Sequence, residues 1–90
     1  MIADNARPVK NKKLLIIAHL DTYYATLDRE KWWEMEDWIV KLLKLCDGKK
    51  TVNDLAEILS KIAEVKKEDL MPTLKEILED LAEKGIIVFI

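Results

Sequence analysis

The chain has 90 residues, with 15 basic and 17 acidic side chains, one histidine and one cysteine. A chain of this length forms one domain with a small core, which leaves little room for a deep active-site cleft. A single cysteine excludes an intramolecular disulfide, and one cysteine with one histidine cannot by themselves complete a structural zinc site. We expect a soluble, cytosolic protein, because no apolar run is longer than that of residues 14–18, which is far shorter than the roughly 20 residues of a membrane span.

The amino-terminal half predicts a polar arm followed by three strands. Residues 1–13 are polar and basic, and we expect an extended arm there. Three segments have the aliphatic, aromatic or alternating character that is typical of strands: residues 14–20, 23–27 and 31–36. In the third of these segments Trp33 and Met35 share one face, so we expect both side chains to point into the core.

From Asp37 onward the apolar spacing changes to that of helices. Asp37 is the predicted N-cap of a first helix, and Thr51 with Asp54 forms a capping signature at the start of a second. A third helix is predicted over residues 69–84. The apolar residues at helical spacing are Ile39, Leu42, Leu43 and Cys46 in the first helix, Leu55, Ile58, Leu59 and Ile62 in the second, and Leu70, Leu74, Ile77, Leu78 and Leu81 in the third.

The chain ends on an entirely apolar segment, residues 86–90, which predicts a short final strand. Strands and helices are therefore segregated along the sequence, which indicates an α+β fold. We expect a small winged-helix-like domain over residues 14–90, with an amino-terminal three-stranded antiparallel sheet followed by three helices.

The segment Leu45-Cys46-Asp47-Gly48, followed by Thr51-Val52, resembles the PqqD-like family, also called RiPP recognition elements. In that family a similar L-C-D-G-x-x-T-V segment joins the first two helices. The family's third helix and its Lys-Gly-Ile ending are resembled by residues 68–70, 78–81 and 83–87. The resemblance covers about residues 14–87 and departs from the family pattern where Asp37 and the bulky Trp38 replace an asparagine and small residues.

The resemblance implies a peptide-binding adaptor. Members of the family capture the leader segment of a ribosomally made precursor peptide, which adds as a strand beside the third strand and lies against the third helix. They present this peptide to a modifying enzyme, often a radical SAM enzyme. Carried onto this chain, the resemblance implies a peptide-binding site made of Lys31, Trp32, Trp33, Glu34, Met35, Met71, Lys75 and Leu78.

The residues themselves indicate no catalytic chemistry. The sequence contains no Gly-rich phosphate loop, no recognisable pair of catalytic carboxylates and no Ser/His/Asp constellation. We therefore expect no enzymatic activity, no cofactor and no metal. Cys46 lies on an apolar stripe and is predicted to be a buried, inert thiol. His19 has no second titrating partner nearby in the sequence, and we expect it to be structural or simply exposed.

Two other functions stay open. One is a winged-helix DNA-binding regulator, suggested by the three helices and the basic arm; the four basic and six acidic side chains of residues 66–84 disfavour contact with a duplex. The other is a small dimerisation or scaffold domain, closed through the apolar tail and the Trp-rich strand. The expected partners are a leader peptide and its modifying enzyme, without nucleic acid or membrane, and the expected state is a monomer or a homodimer.

Overall fold

A computed structural model describes residues 2–90 of the chain. Along this part the elements are β1 (Pro8–Lys10), β2 (Leu15–His19), β3 (Thr22–Thr26), β4 (Trp32–Met35), α1 (Asp37–Leu45), α2 (Val52–Ala63), α3 (Lys67–Glu83) and β5 (Ile87–Phe89). Strands β2, β3 and β4 form an antiparallel sheet in that order, and β1 pairs with β5. The predicted α+β fold, a three-stranded sheet followed by three helices, is confirmed. Within residues 2–90 no helix is both long and apolar enough to cross a bilayer.

Two helices begin at residues other than those predicted. Asp37 is the first residue of α1, and the N-cap is Glu36, whose side chain makes no capping hydrogen bond. The Asp37 carboxylate lies in the first turn, where it still interacts favourably with the helix dipole. Helix α3 begins at Lys67, two residues before the predicted start, so Pro72 lies inside the helix.

The amino-terminal segment packs against the start of α2. The backbone N–H of Val52 donates to the carbonyl of Ala6, and that of Asn53 donates to the carbonyl of Asp4, both at 2.9 Å. The next N–H of the helix is satisfied by the predicted Thr51 capping box, which is confirmed. Because the first N–H groups of a helix have no partner within it, these carbonyls complete the cap. The polar segment predicted as an arm is thus bound to the body of the protein.

Strand β1 ties the two ends of the chain to the α1–α2 turn. It pairs along its length with β5, which confirms the short final strand. On its other side, the N–H of Gly48 donates to the carbonyl of Pro8 at 3.1 Å, and the N–H of Lys10 donates to the carbonyl of Cys46 at 3.0 Å. β1 therefore lies between a turn in the middle of the sequence and a strand at its end.

The core forms between the inner face of the sheet and the three helices. On β4, Met35 is buried and Trp33 is half-buried, which confirms the predicted inward face. Ile62, predicted on the apolar stripe of α2, is instead 73% exposed, since it lies in the last turn beyond the part that packs on the core. The largest fully buried apolar side chains are Leu42, Leu43, Leu55, Leu74, Leu78, Ile86 and Ile87.

Gly48→Ala is expected to lower the free energy of unfolding by about 2–4 kcal/mol. Gly48 has φ +80°, and a Cβ there would lie 2.8 Å from Val9 Cγ2 and 3.0 Å from Ile90 Cδ1. Gly85→Ala is the matched control, because Gly85 has φ +79° but its Cβ would meet only Leu27 Cδ1 at 3.5 Å. Backbone strain alone should cost this control about 1–2 kcal/mol. Urea unfolding measures both variants, and equal losses would contradict the close packing at Gly48.

Acid should weaken the same turn through Asp47. The Asp47 carboxylate accepts hydrogen bonds from the Lys50 ammonium and the Lys49 backbone N–H, both at 2.9 Å, and these lower its pKa to about 2. Because the pKa is lowered on folding, the charged carboxylate stabilises the fold above its unfolded pKa of about 4. This contribution is lost as the pH falls from about 4 to about 2. We expect the urea midpoint of Asp47→Asn to fall less over this interval than that of the wild type; parallel decreases would contradict the assignment.

Candidate functional site

One edge of the three-stranded sheet is formed by β4, which pairs with β3 only within the described residues 2–90. The β2–β3 hairpin has a two-residue loop, so the two residues that flank the loop form a hydrogen-bonded pair. Along β2 and β3, hydrogen-bonded pairs then alternate with pairs that are not hydrogen-bonded. The β3 residues that do not bond to β2 direct their backbone groups towards β4, where their partners are Trp33 and Met35. The N–H and C=O groups of Trp32 and Glu34 therefore face the open edge.

The side chains of β4 surround this open backbone on both faces of the sheet. Trp32 is 40% exposed on the outer face, opposite Thr26 of β3, and Glu34 is exposed on the same face. On the inner face Trp33 is half-buried, and the Lys31 ammonium lies 5.7 Å from the centroid of a Trp33 ring, within reach of a cation–π interaction. The β4 edge thus offers an exposed aromatic ring and a lysine next to unpaired backbone groups.

The α3 residues of the predicted site lie in other surroundings. Met71 and Lys75 are half-buried and line a cavity of about 710 Å³ together with Asp4 and Asn53, and β4 contributes no residue to its lining. The Lys75 ammonium forms an ion pair with the Asp4 carboxylate. Leu78 is fully buried. The amino-terminal segment, and not the sheet, is therefore the neighbour of this flank of α3.

The structure thus divides the predicted peptide-binding residues into three groups. The β4 edge holds those that are exposed or half-buried: Lys31, Trp32, Trp33 and Glu34. The α3 cavity holds Met71 and Lys75. Met35 and Leu78 belong to the core, because Met35 is on the inner face of the sheet and Leu78 is on the apolar stripe of α3. The side chains of these last two residues are buried and do not form the surface of the predicted site.

A profile of the family described as coenzyme PQQ synthesis protein D (PqqD) matches residues 16–87. The chain belongs to the PqqD family. The resemblance carried by the segment around Cys46 and Gly48 is thereby confirmed. The PqqD family is one of accessory, non-catalytic proteins that bind a precursor peptide and act with the enzyme that modifies it. Comparison with curated proteins and with solved structures finds no match.

The match to the PqqD family begins inside β2, so it does not include the amino-terminal segment or β1. Asp4, the ion-pair partner of Lys75, belongs to this unmatched part of the chain. No local pattern in the sequence indicated that these two residues meet, since they are separated by about 70 positions. The composition of the α3 cavity is therefore a property that only the folded chain reveals.

The single cysteine and the single histidine of the chain lie apart from the β4 edge. Cys46 is buried, as predicted, and burial raises the pKa of its thiol to about 12, which keeps the sulfur protonated and unreactive at neutral pH. His19 is exposed at the end of β2. Within residues 2–90, no three or more His, Cys, Asp and Glu side chains are grouped so that they could hold a metal ion.

Proposed function

We propose that this protein captures the leader segment of a ribosomally made precursor peptide by strand addition at β4 and presents it to a peptide-modifying enzyme. The observation that carries the proposal is the open β4 edge, with unpaired backbone groups at Trp32 and Glu34, in a member of a peptide-binding family. In strand addition, backbone hydrogen bonds supply affinity and the alternating side chains of the added strand supply selectivity.

The side chains around the edge suggest how a leader peptide is selected. A strand added beside β4 places every second side chain on the outer face, where the exposed ring of Trp32 offers an apolar and aromatic contact. The intervening side chains meet the half-buried Trp33 on the inner face. Lys31, next to this ring, favours an acidic residue of the leader.

A second part of the proposed site involves α3. Met71 and Lys75 contact the leader beyond its strand-paired segment, in the cavity beside the amino-terminal segment. Because the Lys75 ammonium has three donors, a leader carboxylate can pair with it beside the Asp4 carboxylate or displace that carboxylate. We propose a radical SAM enzyme as the partner that receives the peptide.

The charge of α3 supports a peptide partner over nucleic acid. Within its bounds, Lys67–Glu83, the helix carries two basic and six acidic side chains. A helix that reads a duplex groove needs cationic groups near the phosphates, and an excess of carboxylates repels them. The open edge of β4 instead offers backbone hydrogen bonds, which suit an extended peptide.

The proposal is tested by titrating the ¹⁵N-labelled protein with leader segments of the small peptides encoded beside its gene. We expect one of them to bind with a dissociation constant below about 100 μM. The largest amide shifts should fall on Trp32 and Glu34, and hydrogen exchange at these two amides should slow in the complex. A peptide of the same composition in scrambled order is the control. Lack of binding by every leader, or shifts confined to residues outside β4 and α3, would overturn the proposal.

A further inference from the structure

A groove lies along the β2 edge of the sheet, opposite the β4 edge, and the proposed function gives it no role. Among the described residues 2–90, strand β2 pairs with β3 only, and by the alternation of the hairpin its unpaired backbone groups belong to Ile16 and Ala18. No other described residue donates to or accepts from the backbone of these two. Between this edge and α1 lies a cavity of about 370 Å³, within the size range of small binding pockets.

The groove has an apolar floor and a basic rim. The apolar part of the lining is formed by Leu14, Ile16, Ala18, Tyr23, Val40 and Leu43. In the part of the chain that the structure describes, the charged residues of the lining are Lys10, from β1, and Lys44, from α1, and no acidic side chain lines the groove. Within residues 2–90, neither lysine takes part in an ion pair. The groove is therefore locally cationic in a chain whose formal net charge is −2.

We propose that this β2–α1 groove binds an extended segment of the peptide-modifying enzyme that combines acidic and apolar side chains. The segment adds to the β2 edge through the backbone groups of Ile16 and Ala18. Its inward side chains lie on the apolar floor, and its carboxylates pair with Lys10 and Lys44. This inference rests on the proposed function, in which the leader peptide occupies the β4 edge and leaves the β2 edge to a second protein.

Charge also argues against a second copy of this chain as the occupant. A symmetric pairing of two β2 edges would bring Lys10 and Lys44 of one copy close to the same residues of the other. Neither described lining supplies an acidic side chain, so this approach of like charges would be uncompensated and destabilising. A segment with acidic and apolar side chains instead neutralises both lysines while it covers the apolar floor. The groove therefore selects segments that combine these two kinds of side chain.

The first test uses the capped heptapeptide Glu-Thr-Val-Thr-Val-Thr-Glu, whose valines and glutamates share one face of a strand, added to the ¹⁵N-labelled full chain. We expect the largest amide shifts at Ile16 and Ala18, and binding at least about fivefold weaker for the same peptide with lysine in place of glutamate. The double variant Lys10→Glu/Lys44→Glu should weaken binding of the acidic peptide about tenfold. The matched control Lys12→Glu/Lys13→Glu makes the same charge change at exposed residues outside the lining and should weaken it much less.

The second test measures the affinity of the modifying enzyme encoded beside the gene for the same variants. Lys10→Glu/Lys44→Glu should weaken enzyme binding about tenfold while leader-peptide affinity stays unchanged. Equal effects of the two double variants, or an acidic peptide that shifts no β2 amide, would overturn the groove proposal. If Lys10→Glu/Lys44→Glu bound the enzyme as tightly as the wild type, the modifying enzyme would not be the occupant of the groove. Failure of the leader to bind β4, with β2 shifts intact, would count against the proposed function alone.

Discussion

Glu34→Pro is expected to weaken leader-peptide binding by about 10- to 100-fold while the protein stays folded. The N–H of Glu34 faces the open edge of β4, so proline removes a donor to the added strand and not a bond to β3. Edge strands tolerate proline on their unpaired side. Leaving one carbonyl of the bound peptide without a donor costs about 1–3 kcal/mol, which corresponds to the expected loss of affinity.

Glu34→Ala is the matched control, since it removes the same carboxylate but keeps the backbone N–H. Isothermal titration with the leader peptide and urea unfolding should be measured for both variants. Trp33→Pro, compared with Trp33→Ala, serves as a check on the register: the N–H of Trp33 faces β3, so proline there should lower the free energy of unfolding by about 1–3 kcal/mol more than alanine, because a β3 carbonyl loses its donor. If Glu34→Pro and Glu34→Ala bound the leader equally well, strand addition at β4 would be wrong.

Leu78→Ala is expected to lower the free energy of unfolding by about 2–5 kcal/mol, a large part of the roughly 5–9 kcal/mol expected for a chain of this size. Leu78 is fully buried between α3 and the rest of the core, so truncation removes buried methyl groups and leaves a cavity. Urea unfolding measures the loss. Leader-peptide affinity, corrected for the folded fraction, should change less than about threefold, because the side chain does not reach the surface.

Met71→Ala provides the comparison for Leu78→Ala. Met71 is half-buried and lines the α3 cavity, so its truncation should lower stability less than that of Leu78 but weaken leader binding more. The two variants thus separate a core role from a contact role on the same helix. A reversal, in which Leu78→Ala stays stable but loses the peptide, would show that α3 opens to expose Leu78 on binding.

Several parts of the fold could be predicted because neighbours in the sequence decide them. The Thr51–Asp54 capping box joins residues three positions apart. In the turn after α1, the positive φ at Gly48 is a backbone conformation that favours glycine. The inward face of β4 follows from strict alternation at Trp33 and Met35. The resemblance to the PqqD family was carried first by the segment of residues 45–52, which includes the α1–α2 turn. It could therefore be recognised without any knowledge of tertiary contacts.

The candidate site could be predicted only in part. Alternation identified Trp32 as the outward ring of β4, and the structure places it there. The PqqD resemblance implied Met71, Lys75 and Leu78 as the part of the site on α3, but it could not show where the buried stripe of the helix ends. Packing decides that boundary: Leu78 is in the core, whereas the other two face the amino-terminal segment.

The sequence by itself determined the order and type of β2 to β5 and of the three helices, the Thr51–Asp54 capping box of α2, the buried cysteine and membership of the PqqD family. These properties follow from residue types and from spacings of a few positions. The tertiary structure decided that the polar amino terminus is bound to α2 and β5, that β2 and β4 are the open edges, and that Lys10 and Lys44 meet at one groove. The physical reason is that each of these depends on hydrogen bonds or packing between residues far apart in the chain, which no local pattern encodes.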